Sequence, residues 1–255
     1  MLKRMLKSIL ICLMLFTSSA PPLTPKPQCQ VVCRDHDRVW TYSEYRVAGW
    51  RVLIEQSITK EKKVVQDLIN TLQARLTYLT SVVPQQRHAM LQRIPIWVSN
   101  EPNYPMRPGE QGVIPFHRSP EWLRSHQMNP EMAPGVHIIN PKAVLYTHRI
   151  FDWAPETMLH ELAHAYHNLE LGLDEPTLQN AYSEAMRTKR YHRIPSRSNP
   201  KILTKAYAAT NHEEYFAELT EAYFGKNDWY PHNREQLKQH DPIGFNAIER
   251  LWTRP

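Results

Sequence analysis

The chain has 255 residues, enough to bury one core with at most an appendage. Glycine is scarce at 7 and proline plentiful at 21, which excludes a repeat array or a glycine-rich nucleotide-binding fold and favours proline-studded loops between helices and short strands. The formal charge of +6 falls to +3 without Lys3, Arg4 and Lys7 in the first twenty residues, and no Lys/Arg-rich block with interleaved aromatics occurs, so no nucleic-acid partner is expected.

Residues 1–20 read as an export signal. A basic end is followed by an uncharged apolar run from Ile9 to Phe16 and by the small residues Thr17, Ser18, Ser19 and Ala20. The run is too short for a stable membrane span, which needs about 20 residues. Pro21 is awkward after a cleavage site, so the cut is expected at Ala20 or a residue or two earlier; an uncleaved interfacial tether is the alternative. The mature chain is expected to be secreted or periplasmic. Residues 21–44 read as a proline-rich leader, and residues 45–255 as one domain. Cys29 and Cys33 are the only cysteines beyond the signal. An oxidising compartment favours a disulfide between them, against a pair of free thiols.

Alternation around Trp50, Val52 and Ile54 predicts a strand within 47–58. Val64, Val65, Leu68, Ile69, Leu72, Leu76 and Leu79 recur at helical spacing, so 60–80 is predicted as a helix with an apolar core face. A short helix is expected over 85–92, and strands over 94–99, 135–140 and 144–150. The proline-rich connection 100–134 is long enough to be functional or locally structured. Within it, Ser119 and Pro120 open a helical turn or two. Further helices are predicted over 156–171, 176–190, 202–208, 211–224, 233–240 and 242–252. Pro155 stands near the start of the first, and Gly172 ends it. The fold class is α+β, mostly helical with a small mixed sheet.

The helix predicted over 156–171 carries the chemistry. His160 and His164 are four apart, so both imidazoles face one side and can share a metal ion. Glu161 is placed to reach a water on that metal. This H-E-x-x-H arrangement suits zinc-assisted hydrolysis, which keeps three protein ligands and one open position. An extended motif does not supply the third ligand, because positions 166 and 170 are Tyr and Glu. His167 lies too far along the axis and reads as a packing or surface histidine. A later helix offers carboxylates instead. Glu214 and Glu218 are four apart on one face. Thr210 and Glu213 read as a capping box at its start. Glu214 is therefore the expected ligand, with Glu213 the alternative if the register is off by one. Glu218 is expected to accept the free N–H of a ligating histidine.

The run from Tyr207 to Glu218, taken with His160-Glu161-x-x-His164, resembles the catalytic domain of anthrax lethal factor and its relatives. These are zincin metallopeptidases that take a glutamate as third ligand. The resemblance spans about residues 135–250, and the chain lacks the toxin's cell-entry domains. It implies a zincin-like domain with Zn2+ on His160, His164 and Glu214, and Glu161 as general base. It also implies that Tyr207 hydrogen-bonds the developing oxyanion or protonates the leaving amine. A peptide or protein substrate follows, paired with an edge strand, for which 135–140 is the candidate. Two rival readings are a zinc hydrolase of a non-peptide amide and a non-catalytic metal-binding relative. Glu161 argues against the latter, since ligation does not require it.

Overall fold

The computed structural model describes residues 25–106, 113–150, 157–197 and 199–254. The expected export signal and its cleavage site lie outside the described residues. The first element is strand β1, Cys29–Asp35, which pairs antiparallel with β2, Arg38–Val47. Strand β3, Trp50–Glu55, follows across a two-residue turn in which Ala48 and Gly49 both have positive φ, 48° and 94°. Such turns match the twist of paired strands. The Gln73 carboxamide accepts from the Ala48 N–H at 3.2 Å, tying the turn to the first helix.

Two expectations about this region are corrected. A domain boundary at residue 45 would fall inside β2, which belongs to the same sheet as β1 and β3. The disulfide does not form either. Four residues along one strand separate Cα atoms by about 13 Å, whereas a bridge needs roughly 4.4–6.8 Å. Cys29 is an exposed free thiol and Cys33 a buried one.

Helix α1, Lys62–Val82, crosses from β3 to β4, Ile96–Ser99, with the short helix α2, Gln85–Leu91, between. The apolar stripe Val65, Leu68, Leu72, Leu76 and Leu79 is buried, as its spacing requires. Strand β5, Phe116–His117, and helix α3, Pro120–Ser125, follow; the Ser119 hydroxyl caps α3 by accepting from the Trp122 N–H. Strand β6, Gly135–Ile139, then runs parallel to β4 and antiparallel to β5. The sheet order is β1-β2-β3-β4-β6-β5. Strand β6 is therefore internal, and the edge expected at 135–140 is formed by β5. Pro115 and Val113 carbonyls accept from His137 N–H and Ile139 N–H. The backbone groups of Ile114 and Phe116 consequently point away from the sheet.

The stretch 144–150 is helical rather than a strand. It belongs to α4, Pro141–Ile150. Its β-branched and aromatic residues misled, but Asn140 accepts from the Ala143 N–H and Pro141 holds the first position, both start signals. Helix α5, Thr157–Tyr166, continues into a π turn at His167–Leu171 and stops at Gly172, φ 83°. Helix α6, Pro176–Arg187, leads to a small pair of strands, β7 Ile194–Pro195 and β8 Leu203–Thr204, where a helix over 202–208 was expected. A 3-10 turn at Tyr207–Ala209 precedes helix α7, His212–Phe224, with α8, Arg234–His240, and α9, Pro242–Thr253, behind it.

The sheet has a core on each face. Val52, Ile54, Ile96, Val98, Val136 and Ile138 face the larger one, shared with α1, α5 and α7. Leu53 and Trp97 face a smaller one with Leu123 of α3. Helices α5, α7 and α9 are locked by Tyr166, Phe216 and Trp252, all buried, with Tyr166 and Trp252 ring centroids 4.4 Å apart. Each polar tip is satisfied: Tyr166 Oη donates to the Leu251 carbonyl, and Trp252 Nε1 to Thr220 Oγ1. Asp241 caps α9 and takes hydroxyls from Tyr191 and Tyr215 on one oxygen. A Cβ at Gly244 would stand 2.4 Å from the Tyr215 hydroxyl, so this position requires glycine.

Behind β5 lies a buried polar chain. His117 Nε2 and His137 Nδ1 are 3.1 Å apart, His137 Nε2 and Ser99 Oγ 2.7 Å, and Ser99 Oγ donates to Glu101 Oε1 at 2.9 Å. Burial lowers the His117 pKa to about 4 and raises that of Glu101 to about 7. An unfolded chain protonates His117 near pH 6.5, whereas the fold resists until about pH 4. Its stabilising contribution is complete above pH 6.5 and is lost as pH falls towards 4; Glu101 works in the opposite sense, losing its contribution as pH rises from 4.5 towards 7. In metal-free protein, His117→Gln should flatten the decline in unfolding free energy between pH 6.5 and 4 by up to about 3 kcal/mol. Denaturant titrations across that range measure this, and an identical decline in both proteins would contradict it.

Candidate metal centre and catalytic cleft

His160 and His164 lie one turn apart on α5, with ring centroids 4.7 Å apart. Helix α7 packs against α5 and brings its first turn to them. The Asn211 side chain caps α7, accepting from the Glu214 N–H at 2.8 Å. The capping box expected between Thr210 and Glu213 is not used; Glu213 instead pairs with Arg118 at 2.8 Å. Capping at Asn211 fixes Glu214 in the first turn with its carboxylate facing α5. Glu214 Oε2 lies 3.1 Å from His160 Nε2 and 3.2 Å from His164 Nε2. The Tyr207 hydroxyl donates to the other oxygen, Oε1, at 3.2 Å.

The structure thus brings together His160, His164, Glu214 and Tyr207. One ligand atom from each of the first three lies within 4.8 Å of the others. Donors about 2.1 Å from a tetrahedral ion stand roughly 3.4 Å apart. Two imidazole nitrogens and a carboxylate oxygen at 3.1–3.2 Å spacing therefore fit a single small divalent cation.

Glu218 does not orient His160. Its Oε1 is 4.0 Å from His160 Nδ1, whereas Glu221 Oε1 is 2.6 Å away. The helical period explains the difference. Position 221 is seven residues beyond 214 and returns within about 20° of its direction, whereas 218 is about 40° off. In the neutral ring that metal ligation requires, an Nδ1–H donated to Glu221 leaves the Nε2 lone pair for the ion; without the ion both nitrogens can donate, to Glu221 and to Glu214. Glu218, His160 and Glu221 also form a close group, but both carboxylates are buried and neither lines the cleft. Burial, reinforced by the charge of Glu221, pushes Glu218 up to about 8. At neutral pH Glu218 carries a proton.

The cleft in front of these residues has a volume of about 550 Å³ and is lined by His160, Glu161, His164, Tyr207 and Glu214 together with Phe116 and Arg118. Glu161 Oε2 accepts from the Phe116 N–H at 2.7 Å, so the carboxylate sits against the edge strand. Burial raises its pKa, and the nearby His160 and His164 oppose the rise. Burial also acts to raise Glu214, but hydrogen bonds from His160 and His164 outweigh it and hold this carboxyl well below the usual range. His167 stays out of the cluster. It is buried between His212 and Phe216, with ring centroids at 5.5 and 5.3 Å, and desolvation lowers its pKa to about 4.

Removing the charge that orients a ligating histidine typically costs about 10–100-fold in metal affinity. Glu221→Gln should do so, and Glu218→Gln should cost less. Competition against a chromophoric chelator measures both, and a larger loss in Glu218→Gln would reverse the assignment.

Residues 135–247 match the sequence profile of the glucose-regulated metallo-peptidase M90 family, a stretch that contains all of these helical residues. No curated protein and no solved structure matches the chain, so the resemblance to lethal factor has no counterpart there. Over the part of the chain that carries the site, the protein is similar to metallopeptidases, which supports a metal-dependent hydrolase of peptide bonds.

Proposed function

We propose that the protein is an exported zinc-dependent endopeptidase. The observation that carries this reading is the convergence of His160, His164 and Glu214 at one wall of a cleft, with Glu161 of α5 beside them, its carboxylate against the edge strand. Two imidazoles and one carboxylate with a position left open suit catalytic zinc. Export rests on the basic and apolar pattern of residues 1–20. Among the described residues no helix is long and apolar enough to cross a membrane.

His160, His164 and Glu214 would hold the zinc, which would supply Lewis acidity and lower the pKa of a bound water to about 7. Glu161 then takes the proton of the attacking water and delivers it to the leaving amine. Burial raises its pKa, the direction that suits a group which must first accept a proton and then release it. The Tyr207 hydroxyl, resting on Glu214 Oε1, is placed to turn towards the oxyanion that develops on the scissile carbonyl. Glu221 holds the His160 ring in one orientation throughout. An extended substrate pairs with the outward backbone of Ile114 and with the Phe116 carbonyl, the Phe116 N–H being held by Glu161, so β5 sets its register beside that carboxylate.

Glu161→Gln should retain bound zinc and abolish turnover of peptides. Tyr207→Phe should lower kcat by roughly 10²-fold or more with little change in KM. Metal analysis and steady-state kinetics on a casein-derived peptide test both. Bound zinc with no Glu161-dependent cleavage of any peptide would overturn the peptidase reading.

A further inference from the structure

A second hollow of about 400 Å³ opens beside the catalytic cleft and shares Tyr104, Pro115, Phe116 and Arg118 with it. His117, Ser119 and Trp122 complete its walls. It lies on the other side of the sheet edge. Phe116 packs with the larger core under α5, whereas its neighbour His117 reaches His137 and lies near α3, on the face of the smaller core.

These walls are held in place. His126 stacks on Trp122 with ring centroids 4.1 Å apart, and its Nδ1 is 2.9 Å from the Trp122 carbonyl. Tyr104 stands edge-on to Trp122 at 5.9 Å and to His117 at 6.2 Å. His117 is fixed from behind by the chain through His137 and Ser99 to Glu101, which the hydrolytic mechanism does not use. No carboxylate is among the described residues lining the hollow, and its one charged side chain, Arg118, is engaged by Glu213. A cationic guest would find no counter-charge among the described residues. Trp122 is stacked against both His126 and His117, at 4.1 and 5.5 Å, and the ring edges left bare complement the face of another ring.

Strand addition brings a substrate to this place. Side chains of an extended peptide paired with β5 alternate between the two faces of the sheet. One set enters the cleft beside the zinc ligands, and the next points towards the ring-lined hollow.

We propose that this hollow is a side-chain subsite selecting a bulky aromatic residue of the peptide substrate, with Trp122 and Tyr104 as its specificity-determining walls. The inference rests on the peptidase reading above. A peptide library digested by the zinc-loaded protein and read by mass spectrometry identifies the preferred positions. Matched peptides carrying Phe, Tyr, Trp or Ala at the enriched position then give kcat/KM. The aromatic-to-alanine ratio should be about tenfold or more for the wild type, fall to within roughly twofold in Trp122→Ala, and recover in Trp122→Phe. Trp122 is 37% exposed, and thermal unfolding of each variant checks that the fold persists. Cleavage without aromatic preference at any position, or an unchanged ratio in Trp122→Ala, overturns the subsite alone. Absence of Glu161-dependent cleavage overturns the peptidase reading and the subsite with it.

Discussion

The imidazole of His160 is the point on which the site depends. Its Nδ1 meets Glu221 at 2.6 Å and its Nε2 faces Glu214 at 3.1 Å, so one ring joins α5 to two positions about two turns apart on α7. Burial disfavours a charged imidazole, yet hydrogen bonds to the two carboxylates reverse the shift and hold the pKa of His160 well above its ordinary value. A hydrophobic interface alone would leave the rotation of α7 loosely defined. The buried polar link sets it, and with it the direction of the Glu214 carboxylate. Around this link the apolar contacts of Tyr166, Phe216 and Trp252 keep the helices at a fixed separation.

The same constraint explains the layout of the cleft. Helix α5 lies under the sheet edge, so Glu161 meets the outward N–H of Phe116. Strand β5 is only two residues long, but it is the edge that presents backbone groups to solvent. The salt bridge between Arg118 and Glu213 spans from that edge to the first turn of α7. On the proposed reading, contacts among β5, α5 and α7 would fix substrate register, proton transfer and metal ligation together.

Much of this was legible in the sequence because it is local. The spacing of His160 and His164 places them on one face of any helix, and the stripe from Val65 to Leu79 reports its own burial. Glu214 was recognisable because a carboxylate had to come from a later amphipathic segment. Glu221 was not, because its role depends on how two helices cross rather than on either helix alone. The edge strand was missed for a related reason: two residues in a proline-rich connection show no periodicity. Strands β1 and β2 were hidden because Val32 and Val39 are exposed, which blurs the alternation that marks a half-buried strand. In α4, strand-forming side chains masked a helix that Asn140 and Pro141 begin.

The central claim is that α5 and α7 together hold one catalytic metal. An anomalous difference map at the zinc absorption edge, from crystals of the zinc-loaded protein, tests it most directly. The account predicts a single strong peak between His160 Nε2, His164 Nε2 and Glu214 Oε2, with Glu221 on Nδ1 of His160. A peak elsewhere, such as between His167 and His212, or a zinc ion bound without Glu214, would contradict it.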